Sequence, residues 1–306
     1  MIEDLVKRCT FPAPGRSLVC GVSGGADSLT LMVLAVASGC RVTAVHVDHG
    51  LRPGSEGESD VVADAARRFG ASFRSEHVSV VDGPNLEARA RAARLAVLGP
   101  DAAMGHTADD QAETVLANLL RGAGVNGLAA MRAGPRHPLL DLRRWETVAA
   151  CGHLGLTPVH DPSNDDPRFV RNRIRHELMP LCSAISQRDV VPVLARQSGA
   201  LAGDAELLDA VASLIDPADA AALAAAPEAA SRRAIRGWLQ GDSEYAPSLA
   251  AVERVLAVAR GERRAAEIAG GRRVARSGGR LSVTPVTTST PRHPTDSPVQ
   301  SRRDHH

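Results

Sequence analysis

The chain has 306 residues, enough for about two domains, and its 44% hydrophobic and 23% charged residues are typical of a globular protein with a sizeable core. Thirty-six basic residues against 35 acidic ones leave a net charge of +1, which excludes a uniformly basic surface and makes any nucleic-acid-binding surface local. Aromatic residues make up 2%, which argues against a protein that stacks single-stranded bases along a row of rings.

The first part of the chain alternates short apolar runs with amphipathic stretches. Strands are predicted at 17–22, 41–47, 72–78 and 102–105, and helices at 29–37, 59–69, 85–98 and 109–120. Apolar strands that alternate with helices of this length are typical of a parallel sheet covered by helices on both faces. Ligands of such sheets bind at the carboxyl ends of the strands, and the polar motifs of this chain all follow strands.

The remainder of the chain is predicted to be largely helical. The pattern weakens from 139 to 162, and a basic helix over 168–178 is expected to end before Pro180. Alanine-rich helices over 189–260 are broken by three prolines, at positions 217, 227 and 247. Two Gly-Gly pairs between β-like runs predict a hairpin or small sheet over 264–285.

These elements predict an α/β fold with a doubly wound, mostly parallel, Rossmann-like sheet, a helical segment and a small C-terminal α+β domain. The expected divisions are a sheet-based domain at 1–185, a helical segment at 186–262, a β-rich domain at 263–286 and a disordered tail at 287–306.

The cysteines and the N-terminus bear on location. The five cysteines are widely scattered and no two have metal-binding spacing, so we expect buried thiols in a reducing cytoplasm. The apolar run 29–37 is too short to cross a bilayer, and the N-terminus lacks the form of a signal peptide. We therefore expect a cytoplasmic protein that does not interact with membranes.

The string Ser23-Gly-Gly-Ala-Asp-Ser28 lies between the first strand and its helix. Adjacent Gly24 and Gly25 let successive N–H groups point at one anion, and the helix adds its positive dipole end. The Walker loop does not fit, because the only lysine is Lys7. A plain turn capped by Asp27 is the simpler alternative, but the whole string in this context favours phosphate binding. Asp27 would then either hold a magnesium ion shared with the phosphates or accept a proton from an attacking group.

At this string the sequence resembles the PP-loop ATP pyrophosphatases, which carry a Ser-Gly-Gly-x-Asp-Ser signature and cleave ATP between the α and β phosphates to adenylate a substrate. Further strings narrow the resemblance to the tRNA(Ile)-lysidine synthases. They are His46-Val-Asp-His-Gly-Leu-Arg52, His106-Thr-Ala-Asp-Asp-Gln-Ala-Glu-Thr114, Leu119-Leu-Arg-Gly-Ala-Gly124, Asp161-Pro-Ser-Asn164 and Arg171-Asn-Arg-Ile-Arg-His176. The matches run from about Val19 to Pro180 and cover most of the first domain.

The resemblance implies roles for particular residues. Catalysis is assigned to Asp27, Arg94 and Arg173, and ATP binding to Ser23, Gly24, Gly25, Ala26, Asp27, Ser28, His46 and His106. The candidates for contact with lysine or nucleotide are Asp48, Asp109, Asp110, Glu113, Arg91 and Asp161. The candidates for contact with tRNA or phosphate are Arg121, Arg171, Arg175, Arg264 and Arg272.

Two of these assignments have alternatives. His46, Asp48, His49, His106, Asp109 and Asp110 have the residue types of a two-metal cluster, but in the family these strings flank the nucleotide. Asp109 or Asp110 is also suited to cap the helix that runs to Leu120. In the predicted helix from Asn85, Arg94 falls at an active-site position of the family, although Leu95 replaces a common aromatic.

The arginines have a simpler reading as solvated surface. Alternating Arg171, Arg173 and Arg175 concentrate charge that an anionic partner would offset, so triphosphate or RNA contact is favoured there. The second half resembles the shorter synthases, with a helical segment and one small C-terminal domain. For its arginines, among them Arg264 and Arg272, phosphate contact and plain surface are nearly balanced.

The resemblance implies a two-step reaction on the wobble cytidine of an isoleucine tRNA with a CAU anticodon. The base carbonyl oxygen attacks the α-phosphate of ATP and pyrophosphate leaves; the ε-amine of free L-lysine then displaces AMP to give lysidine. Because the side-chain amine of free lysine has a pKa of about 10.4, a base must take a proton, and Asp27 is the first candidate. ATP and Mg²⁺ are the expected cofactors.

Other functions stay open from the residues alone. A tRNA thiolase of the same superfamily would use paired cysteines, which the scattered cysteines argue against. A non-catalytic ATP- and RNA-binding protein would need neither Asp27 nor the complete string from His106 to Thr114. The sequence does not determine the oligomeric state, for which a homodimer is one option.

Overall fold

The structure, a computed structural model, describes residues 1–48, 56–78, 86–159, 161–241 and 247–285. The chain forms two compact units, Met1–Ala205 and a second one that begins at Glu206. The finer division at 185, 262 and 286 stays a prediction, and the tail from 286, expected to be disordered, lies outside the described residues.

Each unit contains one tryptophan: Trp145 is 64% exposed, and Trp238 is partly buried against the core of the second unit.

A four-stranded parallel sheet forms the centre of the first unit. Its strands are β1 (Ser17–Gly21), β2 (Arg41–Asp48), β3 (Ser72–His77) and β4 (Ala103–Met104), in the order β3-β2-β1-β4. The helices up to residue 213 are α1 (Ile2–Lys7), α2 (Ala26–Ala37), α3 (Glu56–Phe69), α4 (Leu86–Leu98), α5 (Ala108–Leu120), α6 (Val125–Leu128), α7 (Arg144–His153), α8 (Val170–Arg173), α9 (Met179–Ser186) and α10 (Val191–Ser213).

Both faces of this sheet are covered. Successive side chains along a strand point to opposite faces, and both sets are buried here. On β2, Val42 and Ala44 join the larger core, in which α2, α3 and α7 pack. Their neighbours Val45 and Val47 point the other way and pack with Leu98 of α4. Helices therefore lie on both sides of a parallel sheet, and the prediction of a doubly wound α/β fold is confirmed.

The segment after β4 lies directly against the start of α2. A Cβ atom added at Gly105 would lie 2.9 Å from the carbonyl carbon and oxygen of Asp27 and 3.0 Å from the Ser28 nitrogen. Real Cβ atoms do not approach backbone this closely, so only glycine fits here without displacement. The ends of β1 and β4 are thus held together where the polar motifs follow.

The prediction of a helix that ends before Pro180 is wrong. The helix begins at Val170, passes through a π turn over Ile174–Leu178 and continues as α9 to Ser186. A proline ring has no N–H and clashes with the carbonyl four residues earlier in a regular α-helix. The wider π turn immediately before Pro180 changes that geometry, so the chain remains helical.

The second unit combines three further helices with a small sheet. They are α11 (Ala220–Ala225), α12 (Glu228–Gln240) and α13 (Leu249–Ala259), and the antiparallel sheet has the order β5 (Ala265–Ile268), β6 (Arg272–Ser277), β7 (Arg280–Pro285). The three predicted proline breaks precede α11, α12 and α13, and the predicted small C-terminal sheet is confirmed. Ile235, Val255 and Val274 are fully buried in its core. No helix among the described residues is both long and apolar enough to cross a membrane.

Candidate active site

The turn between β1 and α2 has the geometry of an anion nest. Gly24 has a φ of +86°, which side chains rarely tolerate, and it turns the backbone toward the helix. The Ser28 hydroxyl closes the turn: it accepts from the Ser23 N–H at 3.1 Å and donates to the Gly25 carbonyl at 2.9 Å. Gly25 is the N-cap of α2, and no side chain forms a capping hydrogen bond there. The first amides of α2 therefore point toward whatever the turn binds.

The reason for a glycine differs between Gly24 and Gly25. Its φ is −73°, and an added Cβ would meet nothing closer than the Ser23 hydroxyl at 3.7 Å. Neither the backbone conformation nor the present neighbours therefore demand glycine at this position. The absence of a side chain leaves room for a group to approach the turn closely, as phosphate binding requires.

Asp27 lies in the first turn of α2, beside this nest. Its Oδ1 accepts a hydrogen bond from the hydroxyl of Thr147 in α7, and its Oδ2 lies 3.6 Å from Nε of Arg144. Burial raises the pKa of Asp27 to about 6, although the hydrogen bond from Thr147 and the charge of Arg144 act in the opposite direction. A carboxyl group with this pKa exchanges a proton readily near neutral pH.

Three arginines surround two carboxylates next to Asp27, and we call this group the arginine cluster: Asp110, Glu113, Arg144, Arg171 and Arg175. The Glu113 side chain is fully buried and accepts from all three guanidinium groups at 2.7 to 3.1 Å. Oδ1 of Asp110 accepts from Arg144 at 2.8 Å and from Arg171 at 3.0 Å. The five side chains alone carry a net charge of +1, and an ionised Asp27 makes the sum zero.

The cluster keeps its carboxylates ionised. Burial alone would raise the pKa of Asp110, but Arg144, Arg171 and the Thr107 N–H together hold it below its usual value. Burial likewise acts to raise the pKa of Glu113, and the hydrogen bond from Arg175 with the charge of Arg144 lowers it. Arg144 is the central cation, because its three nitrogens face Asp27, Asp110 and Glu113.

Several predicted ligand-contacting residues have structural partners at this edge of the sheet. Asp110 forms a capping box with Thr107 at the start of α5, as one alternative reading of the sequence predicted. Asp109 accepts from the Arg143 side chain at 3.0 Å and from the Arg144 N–H at 2.8 Å, which fixes the start of α7. His46 is buried, with Nδ1 3.0 Å from the Val22 carbonyl.

The other residues of the first unit are placed as follows. Nδ1 of His106 lies 3.1 Å from Nδ1 of His137, and Oδ2 of Asp48 lies 3.6 Å from Nδ1 of His77. Arg94 and Asp161 are half-buried, whereas the side chain of Arg91 lies outside the described residues.

The predicted arginines divide into two groups. Arg171 and Arg175 belong to the arginine cluster, whereas Arg173 is exposed and pairs with Glu177 at 2.9 Å. Arg121 and Arg264 are exposed. In the second unit, Arg272 donates to the carbonyl of Leu239 at 3.1 Å, near the C-terminus of α12. Its role there is to satisfy a helix end, and contact with phosphate stays a prediction for all of these arginines.

Arg144 and Thr147 were not singled out from the sequence. Both lie in α7, over a stretch in which the apolar pattern is weak, and their partners are 31 to 120 residues away along the chain. An adjacent pair of arginines that follows the two buried residues Leu140 and Leu142 was the one available signal.

A self-contained metal centre is not formed by the part of the chain that the structure describes, where no group of three or more His, Cys, Asp or Glu side chains is placed to hold an ion. His49, one member of the suggested two-metal cluster, lies outside that part. The described members, among them His46 and His106, have the partners given above instead.

Comparisons with known proteins show which family the chain resembles. Residues 2–182 match the sequence profile of the PP-loop domain, and residues 219–282 match that of the TilS substrate binding domain. A tRNA(Ile)-lysidine synthase from Nocardia farcinica is 41% identical over 273 residues, which cover 82% of this chain and 85% of the relative. The enzyme of the same name from Rhodococcus erythropolis is 43% identical over 242 residues, 74% of each chain.

A solved structure shows the same fold at lower identity. The U34-tRNA thiolase NcsA from Methanococcus maripaludis, determined with its 4Fe-4S cluster, aligns with a TM-score of 0.54 and 17% identity. The alignment covers 65% of this chain and 78% of the thiolase. At this identity the likeness concerns the fold alone.

Proposed function

The chain belongs to the tRNA(Ile)-lysidine synthase family, whose members are ATP-using, tRNA-modifying ligases, and we propose that it joins free L-lysine to the wobble cytidine of isoleucine tRNA with a CAU anticodon. In the proposed reaction ATP first adenylates the carbonyl oxygen of the cytidine and pyrophosphate leaves. The ε-amine of lysine then attacks the carbon that carries this oxygen, AMP leaves and lysidine is formed.

One observation supports the proposal most directly: Arg144 joins Asp27, at the phosphate-binding turn, to Asp110 and Glu113 of α5. An anion nest, a proton-exchanging carboxyl group and a group of cations thus lie within one side-chain length of each other. The two-step reaction needs all three, because negative charge builds up on the phosphates during adenylation and a proton must be removed when lysine attacks.

In the first step the protein has to stabilise charge on the triphosphate. The N–H groups at the start of α2 are suited to one phosphate group, and the half-exposed Arg171 is suited to another. An arginine that turns toward the phosphates would release an oxygen of Asp110 or Glu113. That oxygen would then be free to bind the α-ammonium group of lysine, which does not react, so that one cation replaces another on a buried carboxylate.

Asp27 is the proposed base of the second step. The incoming amine has to lose a proton, and a carboxyl group with a pKa of about 6 accepts it more readily than an ordinary aspartate does. The positive charge of the nearby guanidinium groups also disfavours a second cation and so promotes deprotonation of the lysine ammonium. The remaining candidates for lysine contact, Asp48, Asp109 and Asp161, are retained as alternatives.

Mg²⁺ fits this site as a partner of ATP. It prefers one or two carboxylates together with phosphate oxygens, and Asp27 offers Oδ2, the oxygen that does not bind Thr147. When bound, the ion would neutralise charge on the leaving pyrophosphate.

The second unit is proposed to contact tRNA. Its match to a substrate binding domain supports this role, and the exposed arginines at positions 263, 264 and 273 are suited to bind phosphate groups. Arg272 and Arg276 are less suited, because they donate to the carbonyls of Leu239 and Ala259 at the ends of α12 and α13.

Transfer of labelled lysine to an isoleucine tRNA transcript with a CAU anticodon, in the presence of ATP and Mg²⁺, tests the proposal. A methionine tRNA with the same anticodon is the control, and Asp27→Ala is assayed in parallel. Label in the isoleucine tRNA alone, lost in the variant, is expected. ATP and tRNA binding without transfer would reject lysidine formation and favour a non-catalytic binder; transfer that requires a sulfur donor would favour a thiolase.

Single-turnover experiments separate the two roles of Asp27. If the carboxylate serves only as the base, Asp27→Ala should still release pyrophosphate and accumulate adenylated tRNA. If it holds Mg²⁺, pyrophosphate release itself should fall, and higher Mg²⁺ should restore part of it.

A further inference from the structure

The Thr147 hydroxyl is a buried polar group that the proposed mechanism has not yet used. Thr147 is fully buried in α7, on the side that packs against α2, next to the buried Ala150 and Cys151. A valine would fill this space equally well, because the two side chains have the same shape. The hydroxyl therefore requires a reason beyond packing.

The direction of its hydrogen bond follows from proton counting. The hydroxyl has one proton, and two acceptors are within reach: Oδ1 of Asp27 and the carbonyl of Arg144, at 2.7 Å. That carbonyl already receives the helical N–H of Val148. The carboxylate gains more from a donor than the carbonyl does, so Thr147 donates to Asp27.

Further contacts hold Thr147 in place. Thr30, three residues after Asp27 in α2, is also fully buried, and its hydroxyl donates to the Thr147 carbonyl at 3.0 Å. The Cys151 thiol lies 3.5 Å from the carbonyl of Ala26. These contacts join the first turn of α2 to α7 on both sides of Asp27, so the donor cannot shift without moving a helix.

We propose that Thr147 is a positioning residue that fixes the rotamer of Asp27, binding Oδ1 to the protein and presenting Oδ2 to substrate. The inference rests on the proposed function, in which Asp27 takes a proton or holds Mg²⁺. A short side chain in the first turn of a helix has several rotamers, and the one seen here places Oδ2 3.6 Å from Nε of Arg144. Loss of the hydroxyl would release the carboxylate from that geometry.

The test compares three variants by steady-state kinetics of pyrophosphate release with ATP, Mg²⁺, tRNA and L-lysine. Thr147→Val removes the hydroxyl and keeps the shape, whereas Thr147→Ser keeps the hydroxyl. Ser231→Ala is the control, because it removes another fully buried hydroxyl, one that donates to the Leu223 carbonyl at 2.8 Å in the second unit.

Thr147→Val should lower kcat about tenfold, the effect of one hydrogen bond to a charged group, and leave KM for ATP within about twofold. Thr147→Ser should restore kcat to within about threefold of the wild type, and Ser231→Ala should lower Tm with kcat nearly unchanged. An unchanged kcat in Thr147→Val, a loss that serine does not restore, or an equal loss of kcat in Ser231→Ala would overturn the inference.

A substrate-free measurement separates this inference from the proposed function. If the hydroxyl binds the carboxylate, Thr147→Val should lower Tm less in an Asp27→Ala background than in the wild type. Additive Tm shifts would overturn the contact even if the enzyme makes lysidine. Conversely, a wild type that transfers no lysine would reject the function while the coupling between Thr147 and Asp27 remained measurable.

Discussion

Glu113 and Arg175 meet side by side: Nε lies 2.7 Å from Oε1, and Nη2 lies 3.1 Å from Oε2. This two-point contact connects α5 with the π turn, and Arg144 and Arg171 complete the set of donors around the same carboxylate. A fully buried carboxylate with three guanidinium partners stabilises the site only while every member is present.

Glu113→Gln should therefore destabilise the first unit by about 3 kcal/mol, because three partly buried cations lose their shared anion while the shape stays the same. Calorimetric unfolding measures this loss. Glu177→Gln is the control: it removes an exposed partner of Arg173 and should change stability by less than about 1 kcal/mol. Equal small effects in both variants would contradict the assignment of the arginine cluster as a structural element.

The pH dependence of stability should show the same cluster. The pKa values of Asp110 and Glu113 are lower in the folded protein than their ordinary values of 3.8 and 4.5. The unfolded chain therefore takes up protons first, so the stabilisation is complete above about pH 5 and is lost as the pH falls through the folded pKa values. Unfolding between pH 7 and pH 3 measures the slope, which should be shallower in Glu113→Gln; parallel curves would argue against the shift.

Two arginines of the small sheet should behave in opposite ways. Arg276 donates to the carbonyl of Ala259 at 2.8 Å at the end of α13, so Arg276→Ala should cost about 1 kcal/mol of stability and change tRNA affinity little. Arg264 is exposed, so Arg264→Ala should weaken tRNA binding and reduce its salt dependence by about one charge, with stability unchanged. Filter binding at several salt concentrations, together with unfolding, distinguishes the two; a loss of affinity confined to Arg276→Ala would reverse the assignment.

Gly105 should tolerate no side chain. Gly105→Ala would place a Cβ 2.9 Å from the backbone of Asp27, so we expect a loss of about 1 to 3 kcal/mol and weaker ATP binding. Gly152→Ala is a matched control in the last turn of α7, where nothing lies within 4 Å of the new atom. That change should instead raise stability by about 0.4 to 1 kcal/mol. Calorimetry and nucleotide titration measure both effects, and a neutral Gly105→Ala would show that the loop after β4 can move away from α2.

The sequence was most informative where the physical signal is local. Continuous apolar runs predicted β1 and β2 to within one or two residues, because both faces of each strand pack against a core. The nest at Gly24 was also predictable, because a glycine between a strand and a helix permits the positive φ that the turn has. Both features depend on neighbours within a few residues.

The remaining features depend on contacts that are distant along the chain. The partners of Glu113 lie 31 to 62 residues away, so no periodicity in α5 could indicate that three arginines surround it. Pro180 was predicted to end a helix from a rule for regular α-helices, and the π turn before it removes the condition on which that rule depends. Placement of Arg272 at a helix end was likewise not visible, because a strand pattern does not indicate what lies beyond its edge.

The two tryptophans determine what a fluorescence experiment would see. Trp145 of the first unit is already 64% exposed, so its emission should change little when that unit unfolds, whereas Trp238 of the second unit leaves a partly buried environment. A melting curve followed by tryptophan emission would thus mainly report the unit that begins at Glu206. The same exposed indole, next to Arg144 in the chain, would be a natural reporter for titrations of the first unit with nucleotide, read by quenching.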